Sequence, residues 1–589
     1  MQALPTGESL VSPLVARGRP TAWRGGLPSA GSAARWPLGQ AGGPVLLPQA
    51  TIGLWSIARP PREALQFPPH TVAPGLLAAA SLTALSARRR GRQSAAPGPC
   101  RSGSDAVFAS IQSTQKSWKA AVAEIRAEAN YLLRSRPKST WDFGVAFVTG
   151  YKGTSVVDVA RALDGELGTK GALLGIAADG SGGLRTDGGR GEAAMAGKVD
   201  GVMLTAVQLP EQSEDAAGLS TAKPFFIGKK EQLEISQLVC RMQGQTRVRG
   251  ANDPPTQRAW RRYLGAEEGT PKGILLFVDP LATKYTVQSV LASLDIAFPE
   301  AVKFGGVASD LLPSSARIAT ARGGEFFASE EPGVAGLILP SSCSLHSVVT
   351  PGSIPVGSEL RVTLADGQVV QEINDISATK ALDEVGKEAG PLERLLIERS
   401  GFLLGLEAPE SLDPEKSKEY DDLWGSSARL PSYSALAKQA GKSDWLVRSI
   451  DTLPNGTIVV QREDLKRVPP RVGPSWLRCQ LHVADRRQAQ KELQLMIQRY
   501  KGARMMLSRA NPPMGALVCA CSSWSSGGED GVEAGVDAIR EVFGERLPVA
   551  RAVTRGEVAP TGVALGGMMQ RRTARLGHTC SLGFLSYEP

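Results

Sequence analysis

The sequence predicts a mixed α/β (mixed α+β) protein, whose two-part body of mixed sheets flanked by helices follows a disordered N-terminal tail. Residues 274–278 are an apolar run that Asp279 and Pro280 end, and apolar residues with helical spacing follow at 287–294. Residues 302–306 then return to a strand pattern that reaches paired glycines, which completes a βαβ unit. Residues 143–180 repeat the plan of strand, amphipathic segment, strand and glycine-rich loop.

Length and charge separate the tail from the body. A chain of 589 residues is too long for one core, so we expect a tail and at least two domains. Residues 1–104 contain eleven arginines, no lysine and two acidic residues, a net charge of +9 that equals that of the whole chain. The body is therefore neutral, which argues against nucleic-acid binding through a broad basic face.

The tail has the composition of an organelle transit peptide, rich in Ala, Gly, Pro, Ser and Arg and poor in acids. We predict plastid import, with the mitochondrion as the second choice; a cytoplasmic protein with a disordered extension is the alternative. Its apolar run at 72–87 is shorter than the roughly 20 residues of a spanning helix, and no later segment is long and apolar enough to span a membrane.

The body divides by pattern into domains at 105–375 and 376–589. Residues 105–136 have near-helical spacing and are predicted as one helix, whereas 212–272 are charged and irregular. Turn sequences at Asp366-Gly367 and at Asn455-Gly456 predict two hairpins. In the second part, the patterns predict a helix at 484–500, a buried strand at 514–521, a helix at 531–543 and a strand at 547–553.

Seven motifs, taken in order, resemble the FIST family, the sensory module of bacterial signalling proteins and of certain F-box proteins. They lie at 277–280, 298–301, 305–309, 350–357, 448–450, 519–521 and 556–560. The resemblance covers most of the body and corresponds to a complete FIST N plus FIST C module. It departs from the family at 522–528, where members carry a basic residue and a glycine, and at 551–555.

The resemblance implies a non-enzymatic sensor that binds a small metabolite such as an amino acid, needs no cofactor and signals through a protein partner. The alternative is a protein-interaction adaptor, because relatives with an F-box recruit substrates for ubiquitination. Residues 105–140 lack the Leu-Pro opening and the several short helices of an F-box.

The candidate ligand-binding residues lie at two predicted turns. Gly305 and Gly306, with Ser309 in the same motif, could present backbone N–H groups to an anionic ligand, or could simply form a tight turn. Gly556 and Glu557 form the second turn, where Glu557 could hold a ligand amine or cap the next turn. We expect both turns to line one hollow.

Cys521 is the last candidate. Cys519 and Cys521 should share one face of a strand, pointing toward a cleft or into the core. A Cys–His nucleophile built on Cys521 and His578 would make the protein a hydrolase, but a buried apolar role is more common for cysteine. No metal is expected, because a single Cys-x-Cys lacks the second half of a zinc site and no two body histidines are neighbours in sequence.

Overall fold

The computed structural model describes residues 106–588, apart from 135, 137, 152–155, 167–171, 185–193, 196–199, 211–217, 246–254, 268, 283, 310–315, 324, 328–330, 408–444, 461–476, 507–511, 525–527, 569 and 571. All described residues belong to one compact unit of residues 94–589. The predicted mixed α+β class is confirmed. The predicted tail at 1–104 and much of the 180–191 loop lie outside the described residues.

The described chain contains three segments of the same plan, which we call the first, second and third repeats (107–208, 223–338 and 343–587). The elements of the first repeat are β1 (Val107–Ser113), α1 (Trp118–Leu133), β2 (Phe143–Thr149), α2 (Val156–Glu166), β3 (Ala172–Ala177), β4 (Gly180–Leu184), β5 (Ala194–Met195) and β6 (Gly201–Gln208). The elements of the second are β7 (Lys223–Ile227), α3 (Lys229–Gln245), α4 (Pro255–Tyr263), β8 (Gly273–Val278), α5 (Lys284–Ala297), β9 (Val302–Val307), β10 (Ile318–Arg322), β11 (Glu325–Phe327) and β12 (Val334–Ile338).

The third repeat begins with β13 (Cys343–Pro351) and is interrupted by a segment at 353–484 that we call the ring insertion. The elements of the ring insertion are β14 (Ser353–Asp366), β15 (Val369–Ile373), β16 (Ile376–Ser377), α6 (Ala378–Glu388), α7 (Pro391–Ser400), β17 (Leu403–Glu407), β18 (Trp445–Thr452), β19 (Ile458–Val460) and β20 (Leu477–Ala484). The repeat resumes with α8 (Arg486–Met506), β21 (Gly515–Cys521), α9 (Gly528–Phe543), β22 (Val549–Thr554), β23 (Glu557–Pro560), β24 (Val563–Leu565), β25 (Thr573–Leu576) and β26 (Thr579–Tyr587).

Each repeat builds a sheet around one parallel strand pair. The pairs are β2 with β3, β8 with β9, and β21 with β22, each joined through one helix as a βαβ unit. The last strand of the repeat, β6, β12 or β26, lies antiparallel beside the first member of its pair. The opening strand of the repeat, β1, β7 or β13, pairs with that last strand.

The other side of each parallel pair is completed by a different repeat. The chain leaves β3 into β4, which pairs with β22 of the third repeat. It leaves β22 into β23, which pairs with β9 of the second repeat. It leaves β9 toward β10, which pairs with β3 of the first repeat. The three exchanges form a closed cycle.

The cores follow from this arrangement. Each sheet packs its helices on one face, which gives three outer hydrophobic clusters. The opposite faces meet in a central cluster that contains Phe147, Phe277, Phe304 and Leu517. The rings of Phe147 and Phe277 meet edge to face with centroids 5.7 Å apart. Strands covered on both faces have near-continuous apolar sequences, which is why the parallel pairs were predictable.

The ring insertion is a closed antiparallel structure. Its strand order is β14, β20, β17, β18, β19 and β15, and β14 also pairs with β15, so the sheet returns on itself. The predicted hairpins at Asp366-Gly367 and Asn455-Gly456 are confirmed as β14–β15 and β18–β19. Gly367 and Gly456 have φ of 60° and 85°, the conformation that these turns require.

Two predictions were wrong. Residues 105–136 are not one helix: 107–113 form a strand paired with β6, and the helix starts only after Ser117, whose side chain caps Ala120 N. Residues 212–272 are not irregular, because they contain β7, α3 and α4. The charged faces of these helices hid their apolar stripes, whose buried members include Ile235, Ala259 and Trp260.

The domain boundary at 375/376 stays a prediction. Strands from both sides of it occur in the second sheet, in the third sheet and in the ring insertion. Among the described residues, no helix combines the length and apolarity needed to cross a membrane.

A buried ion pair within the second repeat is hydrogen-bonded to the third repeat. Lys303 Nζ on β9 lies 3.1 Å from Asp295 Oδ1 and also donates to the Phe298 carbonyl. Asp295 accepts two further hydrogen bonds, from Thr573 N (2.8 Å) and Thr573 Oγ1 (2.7 Å) at the start of β25. Burial lowers the pKa of Lys303, and the Asp295 carboxylate opposes that effect.

We expect Lys303→Met to destabilise the protein by about 3–5 kcal/mol, because it leaves Asp295 with an uncompensated charge. The matched control is Lys230→Met, which removes a lysine whose side chain is 76% exposed and 4.0 Å from Glu234, and should change stability by less than about 0.5 kcal/mol. Denaturant unfolding measures both. Equal stabilities of the two variants would show that the Lys303–Asp295 pair does not stabilise the fold.

His482 makes the ring insertion sensitive to acid. It is buried on β20, with Nδ1 3.2 Å from Ser353 Oγ, and burial lowers its pKa from 6.5 to about 4. His482 therefore binds a proton more readily in the unfolded chain than in the folded one. Its contribution to the stability of the folded protein is complete above pH 6.5 and is lost as the pH falls toward 4.

The loss of stability should reach roughly 3 kcal/mol. Hydrogen exchange of β20 between pH 7 and 4 should show this loss in the wild-type protein, and His482→Leu should remove it. An unchanged slope in the variant would refute the assignment.

Candidate functional site

The carboxyl ends of β3, β9 and β22 meet at one place, which we call the central junction (177–179, 307–309 and 553–557). A cycle of backbone hydrogen bonds holds them together. Ser309 N donates to Ala177 O (2.8 Å), Asp179 N donates to Val553 O (3.0 Å) and Arg555 N donates to Val307 O (3.0 Å). Each bond joins two repeats, so the junction brings all three together at the strand ends where α/β proteins hold ligands.

One polar side chain from each repeat meets at the junction. Asp179 Oδ1 accepts a hydrogen bond from Ser309 Oγ, and Asp179 Oδ2 lies 3.0 Å from Arg555 Nε. Ser309 is buried and Asp179 nearly so, whereas the Arg555 side chain is 26% exposed. The result is a partly buried acid–base pair that solvent reaches mainly from the Arg555 side.

Glu557 lies beside this pair but deeper. It is fully buried on β23, with Gly306 as its partner across the pairing with β9. Its carboxylate accepts a hydrogen bond from Thr579 Oγ1, and Thr554 Oγ1 lies 3.5 Å away. Glu557 therefore sits inside the strand pairing between β23 and β9.

The glycines of the two predicted turns are close to one another, as expected, but they serve strand packing. β9 continues through Gly305 and Gly306, which pair with Val558 and Glu557. A Cβ at Gly305 would lie 1.7 Å from the Leu276 carbonyl oxygen, and one at Gly306 would lie 2.9 Å from Thr554 Cγ2. The space that a side chain would need at these two glycines is therefore occupied by protein.

At position 556, the backbone conformation itself requires a glycine. Its φ of 140° is rare for residues with a side chain, and a Cβ there would lie 2.8 Å from the Leu576 carbonyl oxygen. The Gly556 carbonyl accepts the Val307 N–H at 2.8 Å, which is the bond that fixes β23 beside β9. The assignment of the three glycines as ligand-binding residues stays a prediction.

Another buried carboxylate lies at the end of β8. Asp279 accepts the Leu281 N–H at 2.8 Å and lies 3.9 Å from Arg317 Nη1. Burial raises the pKa of Asp279, and these two partners oppose that rise. The backbone places it near the junction, since Ala308 N donates to Val278 O (2.9 Å) and Ala177 N donates to Arg317 O (2.9 Å).

The two cysteines of β21 do not share an environment. Cys519 packs in the central cluster and Cys521 in the outer cluster of the third repeat. Both side chains are buried, and the expectation that they share one face stays a prediction; the strand ends at Cys521, where the turn of 522–523 begins.

The thiols are poorly suited to nucleophilic attack. Burial raises the pKa of both Cys519 and Cys521, and the Glu557 carboxylate raises them further. Cys521 Sγ lies 2.9 Å from Ser523 Oγ. The ring of His578 is engaged elsewhere, with Nε2 2.6 Å from Ser449 Oγ. In the described part of the chain, no group of three or more His, Cys, Asp or Glu residues is placed to hold a metal ion.

The structure therefore brings Ser309, Gly306, Gly556 and Glu557 into one neighbourhood, with Cys521 at the end of an adjacent strand. Sequence reasoning missed Asp179 and Arg555. Each follows the second strand of a βαβ unit within two residues, and this position was the available signal.

Residues 142–376 match the family model of the FIST N domain. That family is associated with the sensing of small ligands in signalling proteins. The match covers Asp179, Gly305, Gly306 and Ser309, and it stops before Cys521, Arg555 and Glu557. No curated protein matches the chain significantly.

Proposed function

We propose that this protein is a non-enzymatic sensor that binds a small metabolite such as an amino acid at the central junction and signals through a protein partner. The observation that carries the proposal is the Asp179–Ser309–Arg555 contact, in which each repeat contributes one polar group. We further propose that residues 376–589 act as the FIST C half of the module, since Arg555 and Glu557 come from there.

An amino acid suits this site because its two charges are opposite and close together. A guanidinium binds a carboxylate in bidentate geometry, and a carboxylate beside a hydroxyl accepts hydrogen bonds from an ammonium group. Arg555 is the most exposed member of the contact and Asp179 lies directly behind it, so a zwitterion entering from solvent would meet both.

A ligand here would also be able to signal. The three residues belong to different repeats, and the backbone bonds between those repeats lie within the same junction. A ligand that prefers one spacing of the strand ends would shift the protein toward that arrangement by its difference in affinity. The absence of catalysis is part of the proposal, supported by the raised pKa of the Cys521 thiol and the separate bonding of the His578 ring.

An adaptor function is the second candidate, and α7 is the observation that favours it. Leu392 and Leu395 on this helix are 62% and 60% exposed, and none of its residues is buried. Exposed apolar surface of this kind is typical of a protein contact. Under this alternative, Leu392→Glu with Leu395→Glu would abolish partner binding, while amino acids would have no effect on the protein.

We expect thermal-shift screening of the full chain against the amino acids to find a stabilising ligand. Saturation a hundredfold above the dissociation constant contributes about 2.7 kcal/mol of stability. Arg555→Gln and Asp179→Asn should each weaken binding on the order of tenfold to a hundredfold, because each removes a charge-assisted hydrogen bond.

The matched control is Arg478→Gln, which removes an arginine that pairs with Glu359 and Glu407 in the ring insertion. It should leave binding unchanged. Absence of a shift with any amino acid or related metabolite would overturn the sensor proposal. Binding that survives both junction variants would place the ligand elsewhere.

We also propose plastid import of the protein, with mitochondrion and cytoplasm as the alternatives. The arginine-rich, acid-poor composition of residues 1–104 supports this. A fluorescent protein fused behind residues 1–104 should enter plastids, and replacement of the eleven arginines by glutamine should keep it in the cytosol. Cytosolic fluorescence of the unchanged fusion would refute import.

A further inference from the structure

The ring insertion contains a cavity of about 420 Å³ that is open to solvent on one side and lies apart from the central junction. Its walls come from α6, from the end of α7 with the two residues that follow it, and from the end of β18. This volume lies within the range of about 300–1,000 Å³ that small-ligand sites occupy. The lining combines apolar and polar side chains, so its chemistry defines a class of ligand.

The apolar part of the wall fits a short hydrocarbon body. Leu382 and Ile450 contribute aliphatic surface, and Phe402 contributes an aromatic ring. Gly401, with φ of 69°, turns the chain sharply between α7 and β17 and so brings Phe402 to the wall. An aromatic face also attracts a cation that approaches it within about 6 Å.

The polar part of the wall offers hydrogen-bond acceptors. Asp383 and Asp451 contribute carboxylates. The Thr379 hydroxyl donates to the Gly456 carbonyl (3.2 Å) and the Ser400 hydroxyl to the Leu396 carbonyl (2.8 Å). With its proton used in this way, each hydroxyl oxygen keeps lone pairs that can accept a hydrogen bond from a ligand.

The charge of the cavity wall also favours a ligand that donates hydrogen bonds. None of the described residues that line the cavity is basic, so the side chains of its wall carry a net negative charge. Ser400 is the last residue of α7, and the carboxyl end of a helix carries a partial negative charge. The hydrogen-bond acceptors, the carboxylates and the helix terminus together favour a ligand that is a cation and a hydrogen-bond donor.

We infer that the cavity of the ring insertion is a second ligand site, which takes small aliphatic amines. The ammonium group donates its three N–H bonds among the carboxylates of Asp383 and Asp451 and the oxygens of Thr379 and Ser400, while the carbon chain lies against Leu382, Ile450 and Phe402. This site is distinct from the proposed amino-acid site and uses none of its residues.

Calorimetric titration of the full chain with putrescine tests the inference, with butanediol and succinate as neutral and anionic probes of the same chain length. Putrescine should bind with a saturable heat, and the other two should not bind. Asp383→Asn and Asp451→Asn should each weaken binding about tenfold or more. Asp366→Asn, an exposed carboxylate on β14 of the same ring insertion, should change it by less than about twofold.

Asp383 and Asp451 are exposed, so both variants should unfold at the wild-type midpoint, which separates lost binding from lost folding. Equal binding of butanediol and putrescine would overturn the inference, as would wild-type affinity in both variants. Putrescine binding that is lost in Asp179→Asn but kept in Asp383→Asn would assign the amine to the central junction instead. Failure of the amino-acid screen leaves this test unaffected.

Discussion

The cyclic exchange of strands is the constraint on which the rest of the structure depends. Each parallel pair has an open side that would expose unpaired backbone groups, and each repeat closes that side on another repeat. Detaching any one repeat would expose the edges of two sheets. This is unfavourable, because a backbone group that is buried without a partner costs free energy comparable to a lost hydrogen bond. The buried Lys303–Asp295–Thr573 contact strengthens one of these exchanges, since it ties β25 to the helix that precedes β9. The repeats therefore form one cooperative body.

The exchange also explains why polar groups gather in the middle of an apolar body. The three crossing points lie at the carboxyl ends of the second strands, where the chain must turn toward its neighbour and main-chain groups need partners. Asp179, Ser309 and Arg555 stand at these crossings and satisfy one another. In such a partly dry environment a charged pair interacts more strongly than in water, while burial makes any unpaired charge costly. A contact of this kind is well ordered without a ligand, which would reduce the entropic cost of the binding that we propose.

The ring insertion stands outside this cycle. It enters the third repeat between β13 and α8 and closes on itself, so the exchange among the three repeats does not require it. Its strand β18 nevertheless touches the third repeat: Arg448 Nη2 donates to the Arg575 carbonyl at 2.9 Å, and Ser449 contacts His578. These contacts reach Arg575 in β25 and His578 in the turn before β26, a few residues from Thr579, the partner of Glu557. A change in the ring insertion thus has a short physical route to the central junction.

The sequence alone determined the mixed α+β class, the βαβ units and the two glycine hairpins, because helix and strand periods and turn residues act over a few neighbouring positions. It failed where tertiary contacts outweighed local pattern: 107–113 became a strand because β6 offered it partners. Only the tertiary structure decided which strand completes which sheet, since the alternative pairings have similar local sequences. It alone placed Arg555 against Asp179, 376 residues earlier in the chain, because nothing in either local sequence specifies so distant a partner.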